Sequence, residues 1–210
     1  MTTVWGPLGW ITLHSVATSY PERPTDAEQT LMYSWLDKFR DTITCAYCRG
    51  HFTELLGRYR ALFPNMLSSR QEFAVFTFRA HNAVNARLLK PLYSSIDECM
   101  STLRKATEHT SARDFRVSYI NHIMRNWRSF QDISGISAVK KILELQKVEV
   151  EYIASRDTKF QVPLTPDVVI LPSGALTAAP EPGTRPRFNP QLAPAQPRFR
   201  ITGGGIRIQR

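Results

Sequence analysis

Two cysteines two residues apart, Cys45 and Cys48 in a CAYC segment, are the side chains best placed to do chemistry in this chain of 210 residues. On a helix this spacing sets the sulfurs about one turn apart, close enough for a disulfide to open and close with little backbone movement. A helix N-terminus would favour the thiolate, the attacking form in thiol exchange, and neighbouring Arg49 would add to that effect. Half of a zinc site, or a pair of inert buried thiols, are the other readings of the same residues. His14, His51, His81 and Cys99 could complete a zinc set, but the sequence has no second CxxC and no HxxxH to make that spacing specific.

A second group lies in HNAVN. His81, Asn82 and Asn85 share or flank one helix face, and Arg87 and Lys90 follow on the next turn. Imidazole and amides can hydrogen-bond an adenine edge or a ribose, and the two cations can meet a diphosphate. A third group opens the chain in WGPLGWITLH, with Trp5, Trp10 and His14. Taken together, these pieces describe a dithiol beside a bound aromatic cofactor. No glycine-rich strand-to-helix fingerprint is present, which excludes a Rossmann carrier, and no βαβ pattern surrounds CAYC to make it thioredoxin-like.

The elements that must hold these groups read as helices. Pro7 suits a first helical turn, followed by Trp10, Leu13, His14 and Ala17 on one face, and Tyr20-Pro21 ends that helix. Thr25 with Glu28 has the capping-box pattern and opens a second helix with Leu31, Trp35, Leu36 and Phe39 as its buried stripe. Thr44 is the expected N-cap of a third, which carries the dithiol in its first turn. Ser69 with Glu72 starts a fourth that stops near Lys90-Pro91, and Ser95 with Glu98 starts a short fifth. From Ser111 the pattern renews, with Phe115, Tyr119, Ile120, Ile123, Trp127 and Phe130 on one face and Ile136, Val139, Ile142, Leu143 and Ile153 on the next. The fold class is therefore all-α: a four-helix bundle with a short fifth helix in residues 1–100, extra helices in 101–160, and a Pro/Arg/Gly-rich tail in 161–210 whose composition predicts disorder.

A hydrophobic content of 42% supports a packed core. The net charge of +9 fits weak contact between the tail and nucleic acid or another acidic surface. Three cysteines are too few for a disulfide-built scaffold. Neither a signal sequence nor a membrane span is legible, so no membrane is expected and the cytosol is the default compartment.

The ordered triple of WGPLGWITLH with Tyr20-Pro21, CAYC, and HNAVNARLLKP resembles the Erv/ALR-type FAD-linked sulfhydryl oxidases, closest in flavour to those of large DNA viruses. The resemblance covers residues 5 to 95. It implies a helical bundle that holds FAD non-covalently with the CxxC against the isoalloxazine, and that oxidises protein dithiols with oxygen to give disulfide and hydrogen peroxide. Carried over, Cys48 is the flavin-proximal sulfur and Cys45 the distal sulfur attacked by the incoming thiolate. Gly6, Pro7, Leu8 and Gly9 cover the helix start beside FAD, and Trp10, His14, Tyr20, His81, Asn82, Asn85, Arg87 and Lys90 line or hold it. Arg87 stands where a lysine is common, and the charge is retained. Two departures are visible: Cys99 has no partner for the structural disulfide many members carry, and no second, shuttle CxxC exists. Electrons would then come directly from a substrate protein or from a separate dithiol carrier. The resemblance further implies a homodimer paired through the first two helices, with Tyr33, Trp35 and Phe39 as surface to bury, and host cytoplasm or virion as the location, with the mitochondrial intermembrane space as the alternative. The competing reading is a non-enzymatic, zinc-stabilised helical module with a nucleic-acid-binding tail.

Overall fold

A computed structural model of the chain describes residues 2–129 and 135–156, together with Phe160 and Leu176. The described residues are helical with no strand, in the order α1 (Thr2–Ser19), α2 (Asp26–Asp41), α3 (Ala46–Leu62), α4 (Arg70–Arg87), α5 (Ile96–Ala106), α6 (Ala112–Arg125) and α7 (Gly135–Val148). A 3-10 turn at Trp127–Ser129 precedes α7, and a π turn at Glu149–Ile153 extends it. The tail expected over 161–210 lies outside the described residues except for Leu176. That side chain is only 3% exposed and belongs to the main core.

The helix starts follow from side-chain chemistry at the caps. Thr25 closes a full capping box: its hydroxyl accepts from the Glu28 N–H at 3.3 Å, and Glu28 Oε2 accepts from the Thr25 N–H at 2.9 Å. Ser69, Ser95 and Ser111 cap α4, α5 and α6 in the same sense. For α3 the cap is Cys45 itself, one residue later than the Thr44 expected from sequence; its sulfur accepts from the Cys48 N–H. Pro7 sits inside α1 and not in its first turn.

Every residue of α1 and its exit from Ile11 to Tyr20 is buried, because α4 packs on one side of it and α6 on the other. Polar side chains on so dry a helix satisfy themselves locally, with Ser15, Thr18 and Ser19 donating to the carbonyls of Thr12, His14 and Val16. A second contact surface joins α7 to α2 and α6 to α7. The core face of α7 is Ala138, Ile142 and Leu145, whereas Ile136 is 86% exposed and Leu143 is half exposed. Apolar residues surround this helix, and the burying face is the one where small Ala138 lets α7 approach its neighbours.

Helices α6 and α7 cover the first two helices. Phe39 stacks on Tyr119 at 5.3 Å and on Trp35 at 5.3 Å, and both α2 rings are buried. Lys141 pairs with Asp41 at 2.5 Å and Lys38 with Glu144 at 3.3 Å. At the centre, Arg116 of α6 makes a two-pronged pair with Glu149, at 2.7 and 3.0 Å, and also donates to Ser15 Oγ of α1 at 3.3 Å. Of the aromatic surface expected to drive pairing with a second copy, Trp35 and Phe39 are thus buried within one chain, while Tyr33 stays partly exposed with its hydroxyl donating to Pro64 O at 3.0 Å.

Candidate functional site

A cavity of about 640 Å³ opens between α1, α3, α4, α5 and the end of α2, within the roughly 300–1,000 Å³ typical of cofactor sites. Helix α1 contributes Trp5, Gly6, Pro7, Gly9 and Trp10, and α4 contributes His81, Val84, Asn85 and Arg87, with Lys90 just beyond. Phe39, Ile43 and Phe52 supply apolar wall, and Cys48 stands in the lining. Nine of the sequence-predicted residues therefore meet here: Gly6, Pro7, Gly9, Trp10, Cys48, His81, Asn85, Arg87 and Lys90.

Five predicted residues do not line the cavity. Cys45 is the partner sulfur at the N-cap of α3, outside the lining. Leu8 packs against the main core. Tyr20 is fully buried, with its hydroxyl donating to Leu67 O at 3.1 Å and its ring edge-on to Phe73. Asn82 spends both ends of its amide on the backbone of Tyr93, accepting from its N–H and donating to its carbonyl at 2.9 Å each. It therefore anchors the segment after α4. His14 lies behind the cavity, bonded to His81 at 3.1 Å.

Sequence reasoning grouped Trp5 with the opening aromatics but gave it no binding role, and it left the apolar wall of Ile11, Phe39, Ile43, Phe52, Val84 and Leu88, the Tyr93 ring, and Thr102, Leu103 and Ala106 of α5 out of the site. The available signal was the position of Trp5 one turn before Gly9, which lies against the indole. Phe39 and Phe52 carried no separate signal, because the stripes that build the core also wall the cavity.

The environment of the dithiol differs from expectation. Arg49 is buried and donates to Ile43 O at 2.5 Å, so it braces the loop before α3. Burial pushes the Cys48 thiol up to about 11, the hydrogen bond and charge of Cys45 push the same way, and Arg87 opposes them. Desolvation outweighs the Arg87 charge here. Cys99 is fully buried in a second, smaller core with Ile96, Met100 and Leu103, and burial pushes its thiol up to about 12.

Donors around the cavity suit an anionic, aromatic ligand. Arg87 Nε and Trp5 Nε1 are both buried without a hydrogen-bond partner, and the Arg87 guanidinium lies over the exposed Tyr47 ring at 5.3 Å. His81 is stacked on Trp10 with centroids 4.0 Å apart and planes 7° from parallel. His14, His81 and Cys99 bring donor atoms within 4.8 Å of one another, and among the described residues no such potential metal group includes Cys45 or Cys48.

The Erv1/Alr family model matches residues 8–109, which contain the dithiol and the α4 face of the cavity. The FAD-linked sulfhydryl oxidase of African swine fever virus is 33% identical over 90 residues, 43% of this chain and 72% of that protein. The chain belongs to the Erv1/Alr family. A putative FAD-linked sulfhydryl oxidase of Invertebrate iridescent virus 3 is 36% identical over 88 residues, 42% of this chain and 58% of that protein. The mitochondrial FAD-linked sulfhydryl oxidase of Saccharomyces cerevisiae is 36% identical over 88 residues, 42% of this chain and 44% of the yeast protein. The chain thus spans between two fifths and three fifths of the length of these last two relatives. No solved structure matches it significantly. Among the described residues, no helix of this Erv1/Alr chain is long and apolar enough to cross a membrane.

Proposed function

We propose that this chain is an FAD-dependent thiol oxidase that forms disulfides in protein dithiols through Cys45 and Cys48. The observation that carries the reading is the asymmetry of the pair: Cys48 lines the cavity and Cys45 does not. Arg87 and Lys90 would meet the diphosphate, and Asn85 and His81 would hydrogen-bond the nucleoside. Trp5, Trp10, Phe39 and Phe52 would enclose the rings. The orphaned donors of Arg87 and Trp5 are the sign that the cavity is built for a polar guest. When bound, FAD supplies the electron acceptor for the dithiol and returns electrons to oxygen as hydrogen peroxide.

The chain's own part is thiol exchange. In the oxidised pair, a substrate thiolate attacks Cys45 Sγ, the Cys45–Cys48 bond breaks and its electron pair stays on Cys48 Sγ. A second substrate thiolate then attacks the sulfur bonded to Cys45, which releases the substrate disulfide and leaves Cys45 reduced. Arg87 beside Cys48 holds the negative charge that develops there. Tyr47, 70% exposed between the two cysteines, offers an incoming polypeptide an aromatic contact. The substrate is a protein dithiol or a separate dithiol carrier.

We further propose residues 1–100 as the oxidase domain and 101–160 as helices that brace it, with the basic tail starting after Leu176 and adding salt-sensitive attraction to nucleic acid. Host cytoplasm or virion is the proposed location. The purified chain should be yellow with a flavin absorption band and should consume oxygen with a small dithiol. Colourless protein that carries zinc would instead establish the zinc-module reading.

A further inference from the structure

The histidine pair behind the cavity is wired so that the position of each proton follows from one threonine. Thr77 Oγ1 lies 2.8 Å from Ala74 O and 3.0 Å from His14 Nδ1. A carbonyl oxygen only accepts, so the single hydroxyl proton of Thr77 points at Ala74. The Thr77 oxygen can then only accept from His14, whose proton sits on Nδ1. His14 Nε2 is left with a lone pair, and it receives the N–H of His81 Nδ1 at 3.1 Å. The opposite order of donors would set two lone pairs against each other between Thr77 and Ala74. His81 consequently carries its proton on Nδ1 and a bare Nε2 on the ring edge away from His14, in a ring that lines the cavity.

Two further contacts fit this order. Cys99 Sγ lies 3.9 Å from His14 Nε2, so its protonated thiol is a weak second donor that shares the lone pair already engaged by His81. The stack on Trp10 and the edge contact with Tyr93 at 5.2 Å restrain the His81 ring. Burial also lowers the protonation of both rings, so each is neutral at physiological pH and a single tautomer is the relevant state.

We propose that Thr77 is a positioning residue which, through His14, presents His81 Nε2 to the cavity as a hydrogen-bond acceptor. The cavity then selects at that point for a ligand group that donates, an amino N–H or a hydroxyl O–H of the kind carried by adenine and ribose. The identity of the ligand rests on the FAD reading; the tautomer does not. The same three side chains do not read as a metal site, because the His81 Nδ1 proton occupies the space between the two rings.

The test is the imidazole nitrogen shifts of the full chain, uniformly labelled with ¹⁵N and measured before and after FAD is added. Both histidines are expected to be protonated on Nδ1 and bare on Nε2. Thr77→Val strips His14 Nδ1 of its acceptor, so the protons of both rings should move to Nε2, and the Kd for FAD should rise by about tenfold or more. Thr77→Ser should restore both. A wild-type His81 protonated on Nε2 overturns the proposal, as does a folded Thr77→Val protein with unchanged shifts; if that variant does not fold, the wild-type and Thr77→Ser spectra decide. Zinc that binds stoichiometrically and is lost with Cys99→Ser also overturns it. A chain with the expected shifts that binds no FAD overturns the oxidase reading and leaves the tautomer assignment standing.

Discussion

Cys45 Sγ accepts a hydrogen bond from the backbone N–H of Cys48 at 3.2 Å, so the outer sulfur of the dithiol is also the cap of the helix that carries the inner one. Redox state and local helix stability are thereby coupled at one atom, and the two cysteines should respond differently to replacement.

Cys45→Ser and Cys48→Ser should each abolish dithiol oxidation. Serine is a good N-cap, so Cys45→Ser should melt close to wild type, while Cys45→Ala should lose up to about 1 kcal/mol through the missing cap. Oxygen consumption and calorimetry on the three variants check this. Wild-type turnover in either serine variant would sink the proposed route.

The Arg116–Glu149 pair is almost wholly buried and joins α6 to the end of α7. Removing one partner leaves an uncompensated buried charge, and Arg116→Met or Glu149→Leu should each cost about 3–5 kcal/mol. The double variant should recover most of that loss in urea denaturation, since a buried pair and an apolar pair of similar volume are of comparable stability.

Acid should destabilise the chain through its histidines. Burial, and next the charge of Lys90, lowers His81 from 6.5 to about 3, and burial and His81 lower His14. The unfolded chain binds these protons first, so the stabilisation is fully present above pH 6.5 and is lost as pH falls through the window from 6.5 toward 3. The slope should be on the order of 1 kcal/mol per pH unit for each ring. His81→Gln should flatten the stability profile between pH 6 and 4.

With Trp35 and Phe39 covered by Tyr119 and its neighbours, light scattering should return a monomer at micromolar concentration. Arg116→Met, by loosening α6, should shift the population toward larger species. A wild-type dimer would mean that another face pairs.

Truncation after residue 160 removes Leu176 from the core, and truncation after 178 does not. The first should lower stability by about 2–5 kcal/mol, as for a large-to-small core change, and the second should leave melting temperature unchanged. Equal melting of the two would show that Leu176 contributes nothing.

Much of this fold is written locally. Thr25, Ser69, Ser95 and Ser111 cap helices because a short oxygen side chain must find an N–H three residues on, and that geometry needs no tertiary information. Cys45 was harder to see, since sulfur is a weak acceptor and Thr44 is the better cap by type. In the site, His81, Asn85, Arg87 and Lys90 were legible from helical spacing, while Trp10 was assigned through the family resemblance. Tyr20 and Asn82, assigned to the site through the family resemblance, stand off the cavity lining because their partners, Leu67 O and the Tyr93 backbone, lie 47 and 11 residues away and are not legible from local spacing. The face of α7 was misread for a related reason: its apolar residues ring the helix, and only the contact with α2 decides which of them go inside.

The cover over the first two helices arrives late. Arg116 reaches Ser15 across 101 residues, and Arg156 and Tyr152 reach Glu28, the glutamate of the α2 capping box, across 128 and 124. A chain leaving the ribosome therefore exposes its family-matching residues 8–109 well before the helices that shelter Trp35 and Phe39 have been made. During that interval the nascent bundle carries a wet aromatic face, which holdase chaperones would recognise and which invites association between neighbouring chains on a polysome. Docking of α6 and α7, and not completion of the family-matching residues, is the moment at which that exposure ends.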